Sequence, residues 1–411
     1  MQILFLTHRL PYPPDKGERI RAFHELRYLA KRHEVDLFCF ADSQKSAENK
    51  QVLQGICRSI YVEVLKRPIR LLRAAGNFFA DRPLSFGFFH SRKLDARVRQ
   101  ALCERDYDLI FVYCSSMGYA IPYPTPAPLV VDFVDADSQK FKQYAARSGS
   151  LRRWLYAREA RLVAAAEQSL GHMAALSFAV TEHDAKELCA EDPKFRVEVV
   201  TNGVQVPDPA HPHDQDELRE LKPFALFVGT MNYPPNADAA NYFAREILPL
   251  VRQTHPDLKF VVVGRDPDRQ VRQLSNIPGV VVAGEVPDVF RYFRNADVSV
   301  APFRISQGFH NKIAESLAVG TPVITTSRAM AGIGLSEREG LFVADTAESF
   351  AGEASRVLTD SHLRCELREG AAVVRQRLSW DLPLSRMEQL MVEVVAGRST
   401  RPSRELVVGL K

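Results

Sequence analysis

The segment SQGFHNKIAESLAVGTPVI, residues 306–324, holds the residue types with the clearest chemical meaning. Its pattern predicts a helix that follows Gly308 and carries Lys312 in its first turn. A helix start has backbone N–H groups without helical partners and a partial positive charge, so these groups and Lys312 can together hold a phosphate. Glu315 lies one turn further along the same face, where it could accept hydrogen bonds from hydroxyl groups attached to that phosphate.

Three consecutive predicted strands in the second half of the chain end in residues that let a ligand approach the backbone. Gly229 and Thr230 follow FALFV, Gly264 and Arg265 follow KFVVV, and Gly284 follows VVVA. Arg265 could bind a phosphate through two parallel hydrogen bonds, whereas a lysine acts as a point charge. A glycine at a strand end can equally serve only a tight turn. The coincidence with the lysine and glutamate of the preceding segment favours a binding site.

In the first half, Gly17 lies between the first predicted strand and the first long helix, in HRLPYPPDKGERIR. Its backbone N–H could meet a phosphate from the opposite side of a cleft. The glycine and lysine spacing of a Walker loop is absent, and no Gly-x-Gly-x-x-Gly follows a predicted strand. These absences argue against an ATPase or a dehydrogenase. The neighbouring Lys16, Arg19 and Arg21 are equally consistent with a solvated helix start.

Three acids end a predicted strand in VVDFVDADSQK: Asp132, Asp135 and Asp137. They could hold a divalent cation that bridges a nucleotide diphosphate. The alternative is a strand-end cap that binds substrate hydroxyls without a metal. We favour this alternative, and expect no metal, because cationic residues elsewhere already supply charge for the phosphate.

Residues 66–99 carry nine Lys or Arg against two Asp, with five phenylalanines interleaved. This composition suits an anionic membrane surface or a lipid-linked acceptor, since cations meet headgroups while aromatic rings enter the interface. The alternative places the phenylalanines in a core and the basic residues in solvent. No recognised nucleic-acid motif accompanies the segment, so we expect no nucleic-acid partner.

The length, composition and residue pattern of the chain predict a two-domain α/β protein. Its 411 residues favour two domains, and its 25% charged and 46% hydrophobic residues are ordinary for a globular protein with real cores. The net charge of +4 is small, so any basic surface must be local. Six scattered cysteines, no apolar run of membrane-spanning length and no signal peptide predict a cytoplasmic protein, with the inner face of the plasma membrane as an expected site of peripheral contact.

Short apolar runs alternate with helical patterns, which predicts parallel sheets flanked by helices. The predicted strands are ILFLTH, EVDLFCF, SIYVEVL, DLIFVY, LVVDFVD, LSFAVT and VEVVTN, then FALFVG, LKFVVVG, GVVVAG, VSVAP, PVITT and LFVA. We predict two Rossmann-like, doubly wound domains facing a central cleft, over residues 1–203 and 204–378. A helix at about 379–396 is expected to pack back on the first domain, and 397–411 to form a flexible tail.

Together these motifs resemble the retaining glycosyltransferases of family 4, which have the GT-B fold. GFHNKIAESLAVGTPVI is similar to the donor-site signature of that family, GEVPDVFRYFRNADVSVAPF to its nucleobase loop, and TNGV to its entry into the linker. In the family, the helix start holds the nucleotide diphosphate and a glutamate at the place of Glu315 binds the ribose. The resemblance implies these donor-binding residues: Gly17, Gly229, Thr230, Val286, Gly308, Phe309, His310, Asn311, Lys312 and Glu315.

A more specific resemblance is to the sugar transferase subgroup associated with exosortase and exopolysaccharide systems. It is carried by ILFLTHRLPYPPDKGERIRAFHELRYLAKRHEVDLFCF, VDFVDADSQKFKQYA and GTMNYPPNADAANYFAREILPLV. The resemblance implies transfer of a sugar from a nucleotide sugar to a glycan or polyprenyl-linked acceptor, with retention at the anomeric carbon, in exopolysaccharide or other cell-surface glycan biosynthesis. The nucleotide sugar is then a substrate, and no cofactor is expected.

Two positions depart from the family pattern. Gln307 replaces the first of two motif glutamates, and it can hydrogen-bond a sugar hydroxyl but supplies no carboxylate. The usual histidine of the first domain is also missing, and Asp135 is the position that we match to it.

The predicted catalytic residues are Lys312 and Arg265, which neutralise the departing diphosphate, and Asp135, which orients the acceptor or the sugar. A nucleotide-sugar 2-epimerase of the same architecture is an alternative, and it would need only the donor. A non-catalytic nucleotide-binding subunit of a polysaccharide assembly complex is another, suggested by Gln307. A metal-dependent transferase that uses Asp135 and Asp137 also stays open.

Overall fold

The computed structural model describes residues 1–14, 17–146, 148–190, 195–207, 218–305, 308–330, 333 and 335–399. The chain divides into two compact units. Unit 1 comprises Met1–Val200 and the C-terminal segment from Pro383, and unit 2 comprises Thr201–Leu382. Lys16, Gln307 and most of the predicted tail lie outside the described residues.

Unit 1 contains a seven-stranded parallel sheet with the order β3-β2-β1-β4-β5-β6-β7. Its strands are β1 Gln2–Thr7, β2 Glu34–Ala41, β3 Ser59–Val64, β4 Leu109–Tyr113, β5 Leu129–Val134, β6 Leu176–Ala179 and β7 Val197–Val199. Its helices are α1 Gly17–Ala30, α2 Gln44–Glu48, α3 Lys50–Leu53, α4 Arg67–Phe79, α5 Leu84–Gly87, α6 Arg92–Glu104, α7 Asp137–Ala146, α8 Ser150–Met173 and α9 Glu182–Cys189, with a 3₁₀ turn at Ser115–Ala120.

Unit 2 contains a six-stranded parallel sheet with the order β10-β9-β8-β11-β12-β13. Its strands are β8 Phe224–Val228, β9 Lys259–Val263, β10 Val280–Gly284, β11 Val298–Ala301, β12 Val323–Thr325 and β13 Leu341–Val343. The remaining helices are α10 Pro234–Tyr242, α11 Leu248–Val251, α12 Arg269–Arg272, α13 Val289–Asn295, α14 Asn311–Ala318, α15 Ala347–Thr359, α16 Ser361–Arg377 and α17 Asp381–Ser399. A π-helical segment at Phe243–Ile247 joins α10 to α11, and 3₁₀ turns lie at Gln273–Asn276 and Glu337–Glu339.

These sheets confirm the predicted fold class of two Rossmann-like units. The central strands are almost continuous runs of Val, Ile, Leu and Phe because helices cover both faces of a parallel sheet. In β4, for example, all five residues of LIFVY are buried. In each sheet the chain winds outward in one direction and then reverses, between β1 and β4 in unit 1 and between β8 and β11 in unit 2. Ligands of such sheets bind at the carboxyl ends of the strands beside this switch point.

Helix α17 begins at Asp381, and most of it belongs to unit 1. Glu388 lies 2.8 Å from the His33 ring and 3.6 Å from the Arg32 guanidinium, at the end of the α1–β2 connection. The buried residues of the helix are Leu384, Met387, Leu390 and Met391. The division between the units lies at Val200 and Thr201, whereas the prediction placed it after residue 203. No helix in the described part of the chain is both long and apolar enough to span a bilayer.

A buried ion network ties α1 to the sheet of unit 1. Arg21 Nε lies 2.6 Å from Asp132 Oδ2 and 2.8 Å from Glu25 Oε1, and Nη1 donates to the Val200 carbonyl at 2.8 Å. Burial and the neighbouring Asp132 raise the pKa of Glu25 well above its usual range, which favours the neutral acid form of Glu25 beside the Arg21–Asp132 ion pair. Arg21 is fully buried, so the alternative of a solvated helix start is wrong for this residue.

We expect Arg21→Met to lower the free energy of unfolding by about 3–5 kcal/mol, because it leaves the buried Asp132 carboxylate without a cation. Glu25→Gln is the matched control, and it should cost no more than about 1 kcal/mol because a neutral amide replaces a neutral acid. Urea unfolding followed by circular dichroism measures both variants. Equal losses would show that the network does not have this charge distribution.

Candidate functional site

The ends of β8, β9 and β10 lie side by side at the switch point of unit 2. The Gly229 N–H donates to the Val263 carbonyl at 3.0 Å, and the Gly264 N–H donates to the Gly284 carbonyl at 2.7 Å. The three strand ends singled out in the sequence therefore share one edge of the sheet. Helix α14 follows β11, the strand on the other side of the switch point.

At two of these glycines, Gly229 and Gly264, a side chain would collide with neighbouring atoms. A Cβ at Gly264, where φ is +149°, would lie 1.7 Å from the Gly229 carbonyl oxygen, so this glycine serves close backbone packing. A Cβ at Gly229 would lie 2.7 Å from Asn236 Nδ2 and 3.0 Å from Lys312 Nζ. Gly229 therefore makes space for the amine at the strand end.

Lys312, the second residue of α14, is held over the end of β8. Its Nζ donates to Asn236 Oδ1 at 2.7 Å and lies 4.8 Å and 4.7 Å from the ring centres of Phe227 and Phe303. Asn236 Nδ2 in turn donates to the Thr230 carbonyl at 2.9 Å, which fixes the amide orientation. Among the described residues, no carboxylate lies within salt-bridge distance of Nζ. The amine is thus positioned by a neutral amide and two aromatic faces.

Burial moves the pKa values of the charged groups on α14 toward neutrality. Burial lowers the pKa of Lys312 to about 7, an effect that Glu315 partly opposes, and burial raises the pKa of Glu315 to about 7. Burial and the Lys312 charge lower the pKa of the N-cap residue, His310, to about 3, so that ring is neutral at physiological pH. Binding of an anion would favour the charged form of the lysine.

The loop before α14 is held by packing and by one amide pair. Gly308 has φ +70°, a left-handed conformation that favours glycine. Phe309 packs on the main core of unit 2, and the His310 ring stacks on Phe303 with 4.5 Å between ring centres. Asn311 Oδ1 accepts from Asn202 Nδ2 at 3.1 Å. The predicted contacts of these residues with a donor remain predictions.

Arg265 and Val286 follow β9 and β10 at the same edge of the sheet. The Arg265 carbonyl accepts from the Met231 N–H at 2.9 Å, which ties the loop after β9 to the loop after β8. Val286 is partly buried against the smaller core cluster around Phe293. The roles of Arg265 in phosphate binding and of Val286 in nucleobase binding remain predictions.

Two predicted site residues belong to unit 1. Gly17 is the exposed first residue of α1, directly at the helix start. Asp135 follows β5, where burial, then Asp184 and Asp137, raise the pKa of its carboxyl to about 7. No group of three or more His, Cys, Asp or Glu suited to a metal is found among the residues that the structure describes. The roles of Gly17 and Asp135 remain predictions.

The sequence interpretation missed the residues that hold Lys312 in place, namely Asn236, Phe227 and Phe303. Asn236 lies in α10, 76 positions before the lysine, and only the fold brings the two together. A signal was present, since Asn236 follows two prolines, and such a pattern indicates the first turn of a helix.

Comparisons with known proteins support this fold and indicate the class of protein. Residues 222–360, which include the Lys312 site, match the family described as "Glycosyl transferases group 1". An uncharacterized 44.6 kDa protein in the cps region of Klebsiella pneumoniae is 20% identical over 368 residues, which are 85% of this chain and 89% of that protein. A phosphatidyl-myo-inositol mannosyltransferase of Propionibacterium freudenreichii is 32% identical over 117 residues, 28% of this chain and 29% of that protein.

The structure of the Anabaena protein HepE, solved in complex with UDP and glucose, superposes with a TM-score of 0.67 at 16% identity. The superposition covers 96% of this chain and 100% of that one. The two parallel-sheet units thus form a GT-B fold. With the matched family domain over its second unit, the chain is a glycosyltransferase enzyme.

The lowered pKa of Lys312 has a consequence for stability. An unfolded lysine titrates near 10.4, so between pH 7.5 and about 9.5 the unfolded chain binds more protons at this residue than the folded chain. The free energy of unfolding of the wild type relative to Lys312→Met should therefore rise with pH over this window, by at most about 1.4 kcal/mol per unit. Urea unfolding at several pH values measures the difference.

Lys186→Met, at an exposed position on α9, is the control and should follow the wild-type profile. The window lies above the pKa of Glu315, whose raised value affects stability between about pH 4.5 and 7. Parallel profiles for wild type and Lys312→Met would contradict the burial of the amine.

Proposed function

We propose that this glycosyltransferase is a retaining enzyme of family 4, in the subgroup associated with exosortase and exopolysaccharide systems. It moves a sugar from a nucleotide-sugar donor to a glycan or polyprenyl-linked acceptor on the cytoplasmic side of the membrane. The observation that carries the proposal is the Lys312 amine, which is held by Asn236 at a helix start beside the switch point. A cation placed there, with no carboxylate partner among the residues that the structure describes, suits a diphosphate.

The comparisons support the finer parts of this proposal. The complex of HepE with UDP and glucose supports a UDP-linked sugar as the donor. The relative in a cps region supports a role in exopolysaccharide biosynthesis, and the relative named as a phosphatidyl-myo-inositol mannosyltransferase supports a lipid acceptor.

In the proposed reaction, the bond between the anomeric carbon and the diphosphate breaks, and a bond from that carbon to an acceptor oxygen forms on the same face. The acceptor proton passes to the departing diphosphate. Lys312, Arg265, Gly17 and the N–H groups at the start of α14 stabilise the charge that develops on the leaving group. Asp135 orients the acceptor or the sugar, and an ionised Glu315 accepts hydrogen bonds from the ribose hydroxyls.

A thermal-shift panel of UDP, GDP, ADP and their sugars tests the donor. A ligand that binds only the folded protein raises its apparent stability by RT ln(1 + L/Kd), where L is the free ligand concentration, so a tighter ligand at the same concentration gives a larger shift. We expect the largest shift with UDP and its sugars, and a smaller one in Lys312→Ala. A panel without any shift would overturn the assignment of the site to a nucleotide diphosphate.

Lys312→Ala should lower kcat by about 10²–10³, the usual loss when one fixed donor to a developing charge is removed. Arg245→Ala is the control, because Arg245 is exposed on the π-helical segment and should leave kcat unchanged. Single-turnover kinetics with a nucleotide sugar and an acceptor measure the chemical step. Near-normal turnover in Lys312→Ala would refute the assigned role.

The same assays separate the alternatives. Conversion of the nucleotide sugar without any acceptor would identify an epimerase, and nucleotide binding without turnover would identify a binding subunit. An inverted anomeric centre in the product, read by NMR, would refute retention. Loss of activity in EDTA that Mg²⁺ or Mn²⁺ restores would assign a metal to Asp135 and Asp137.

A further inference from the structure

Helix α4 turns Arg70 and Arg73 inward and its large apolar residues outward. Arg70 is buried, its Nε donates to the Leu65 carbonyl at 2.9 Å, and its Nη1 lies 2.7 Å from Asp42 Oδ1. Arg73 donates to the His90 carbonyl on the same inner side. The charged groups therefore hold the helix to unit 1, which is the reverse of an ordinary surface helix.

The outer face of α4 is apolar and exposed. Leu72 is 73% exposed and Phe79, two turns further on the same face, is 87% exposed, and Leu71 is also exposed. The alternative that the phenylalanines of residues 66–99 lie in a core holds for the buried Phe86 but is wrong for Phe79. Exposed apolar side chains of this size that cluster on a surface mark an interaction site.

The first turn of α8 extends this apolar surface. Leu151 is 81% exposed and Trp154 is 55% exposed. The Trp154 ring meets the edge of the Phe78 ring with 6.2 Å between centres, and Phe78 in turn contacts Phe79. We call Leu71, Leu72, Phe78, Phe79, Leu151 and Trp154 the α4–α8 patch.

Two charged residues of α8 hold the α4–α8 patch together. Arg158 donates to the Phe78 carbonyl at 2.9 Å, and its guanidinium lies 4.8 Å from the centre of the Phe78 ring. The buried Glu159 accepts from the Leu84 N–H at 2.9 Å and the Ser85 N–H at 2.7 Å, which caps α5 between the two helices. The patch is thus a fixed surface of unit 1.

The charge around the α4–α8 patch is cationic. Residues 66–82 and 150–161 contain nine Lys or Arg and two acidic residues. Both acids are engaged, because Asp81 pairs with Arg158 at 3.2 Å and Glu159 is buried. Exposed cations that border the patch are Lys66, Arg67, Arg82, Arg152 and Arg153.

We propose that the α4–α8 patch docks unit 1 onto an anionic lipid bilayer. Phe79, Trp154 and the leucines enter the headgroup and acyl boundary, and the bordering arginines and lysines meet lipid phosphates. Charge complementarity favours a bilayer as the occupant, since the same patch on a second copy would bring exposed cations against these cations. The inference deepens the proposed function by naming the surface on which a lipid-linked acceptor is met.

Tryptophan fluorescence tests the docking without nucleotide or acceptor. The chain has two tryptophans, and Trp380 is buried in unit 2, so Trp154 is the exposed reporter. Vesicles of phosphatidylcholine with phosphatidylglycerol should shift the emission of Trp380→Phe to shorter wavelength and leave Trp154→Phe unshifted. The absence of a shift in Trp380→Phe would overturn the proposal.

Co-sedimentation with the same vesicles tests separately the insertion of apolar side chains and the attraction between cations and lipid phosphates. The double variant Leu72→Ser with Phe79→Ser, and the double variant Arg152→Gln with Arg153→Gln, should each bind at least about tenfold more weakly. Val373→Ser, at a position 64% exposed on α16 of unit 2, is the control and should bind like the wild type. Equal binding by all variants, or equal binding to vesicles without phosphatidylglycerol, would overturn the proposal.

Light scattering and nucleotide binding separate the remaining outcomes. If the wild type is a dimer that does not bind vesicles, and the variant Leu72→Ser with Phe79→Ser is a monomer, the α4–α8 patch is an interface between copies and the proposal is wrong. Both double variants should keep wild-type UDP affinity, because the α4–α8 patch contains none of the proposed donor-binding residues. A wild type that binds UDP but no vesicles would contradict the docking proposal and leave the transferase assignment unaffected. A wild type that binds vesicles but no UDP would contradict only the assignment of the nucleotide site.

Discussion

The partly desolvated amine of Lys312 is the constraint around which unit 2 is arranged. An ammonium group loses hydration when it is placed between two aromatic rings, and a neutral amide replaces only part of that loss. Gly229 must lack a side chain to leave room, and Gly264 must lack one so that the two strand ends can approach. The resulting site is unfavourable for a lone cation and favourable for a cation that faces a doubly charged anion.

The local pattern of apolar residues in the sequence was sufficient to predict much of the fold. Every predicted strand is present, because runs such as KFVVV and LIFVY are too apolar and too short for anything but a buried parallel strand. The order of strands within each sheet was not readable, since it depends on which strand pairs with which. The start of α14 was predicted from Gly308 and Lys312 alone, but its support by Asn236 was not, because that contact joins residues far apart in the chain.

Charge was a poor guide to exposure wherever a distant partner was available. Arg21 appears in the sequence as one of several cations at a helix start, yet Asp132, 111 positions away, makes its burial tolerable. Arg70 is similar, with Asp42 and a backbone carbonyl as partners. On α4, Arg70 and Arg73 turn inward, and the apolar residues between them, Leu71 and Leu72, are exposed. The exposed apolar face of α4 is thus a consequence of the inward contacts that Arg70 makes with Asp42 and the backbone.

Helix α17 gives the chain a particular order of assembly. The first unit is made of two pieces of sequence that are separated by the whole of the second. During synthesis on the ribosome, the Rossmann sheet of unit 1 emerges first, but Glu388, Met387 and Met391 follow only after unit 2 has left the exit tunnel. His33 has no carboxylate from α17 during that interval. A nascent chain would therefore complete its second domain before it completes its first.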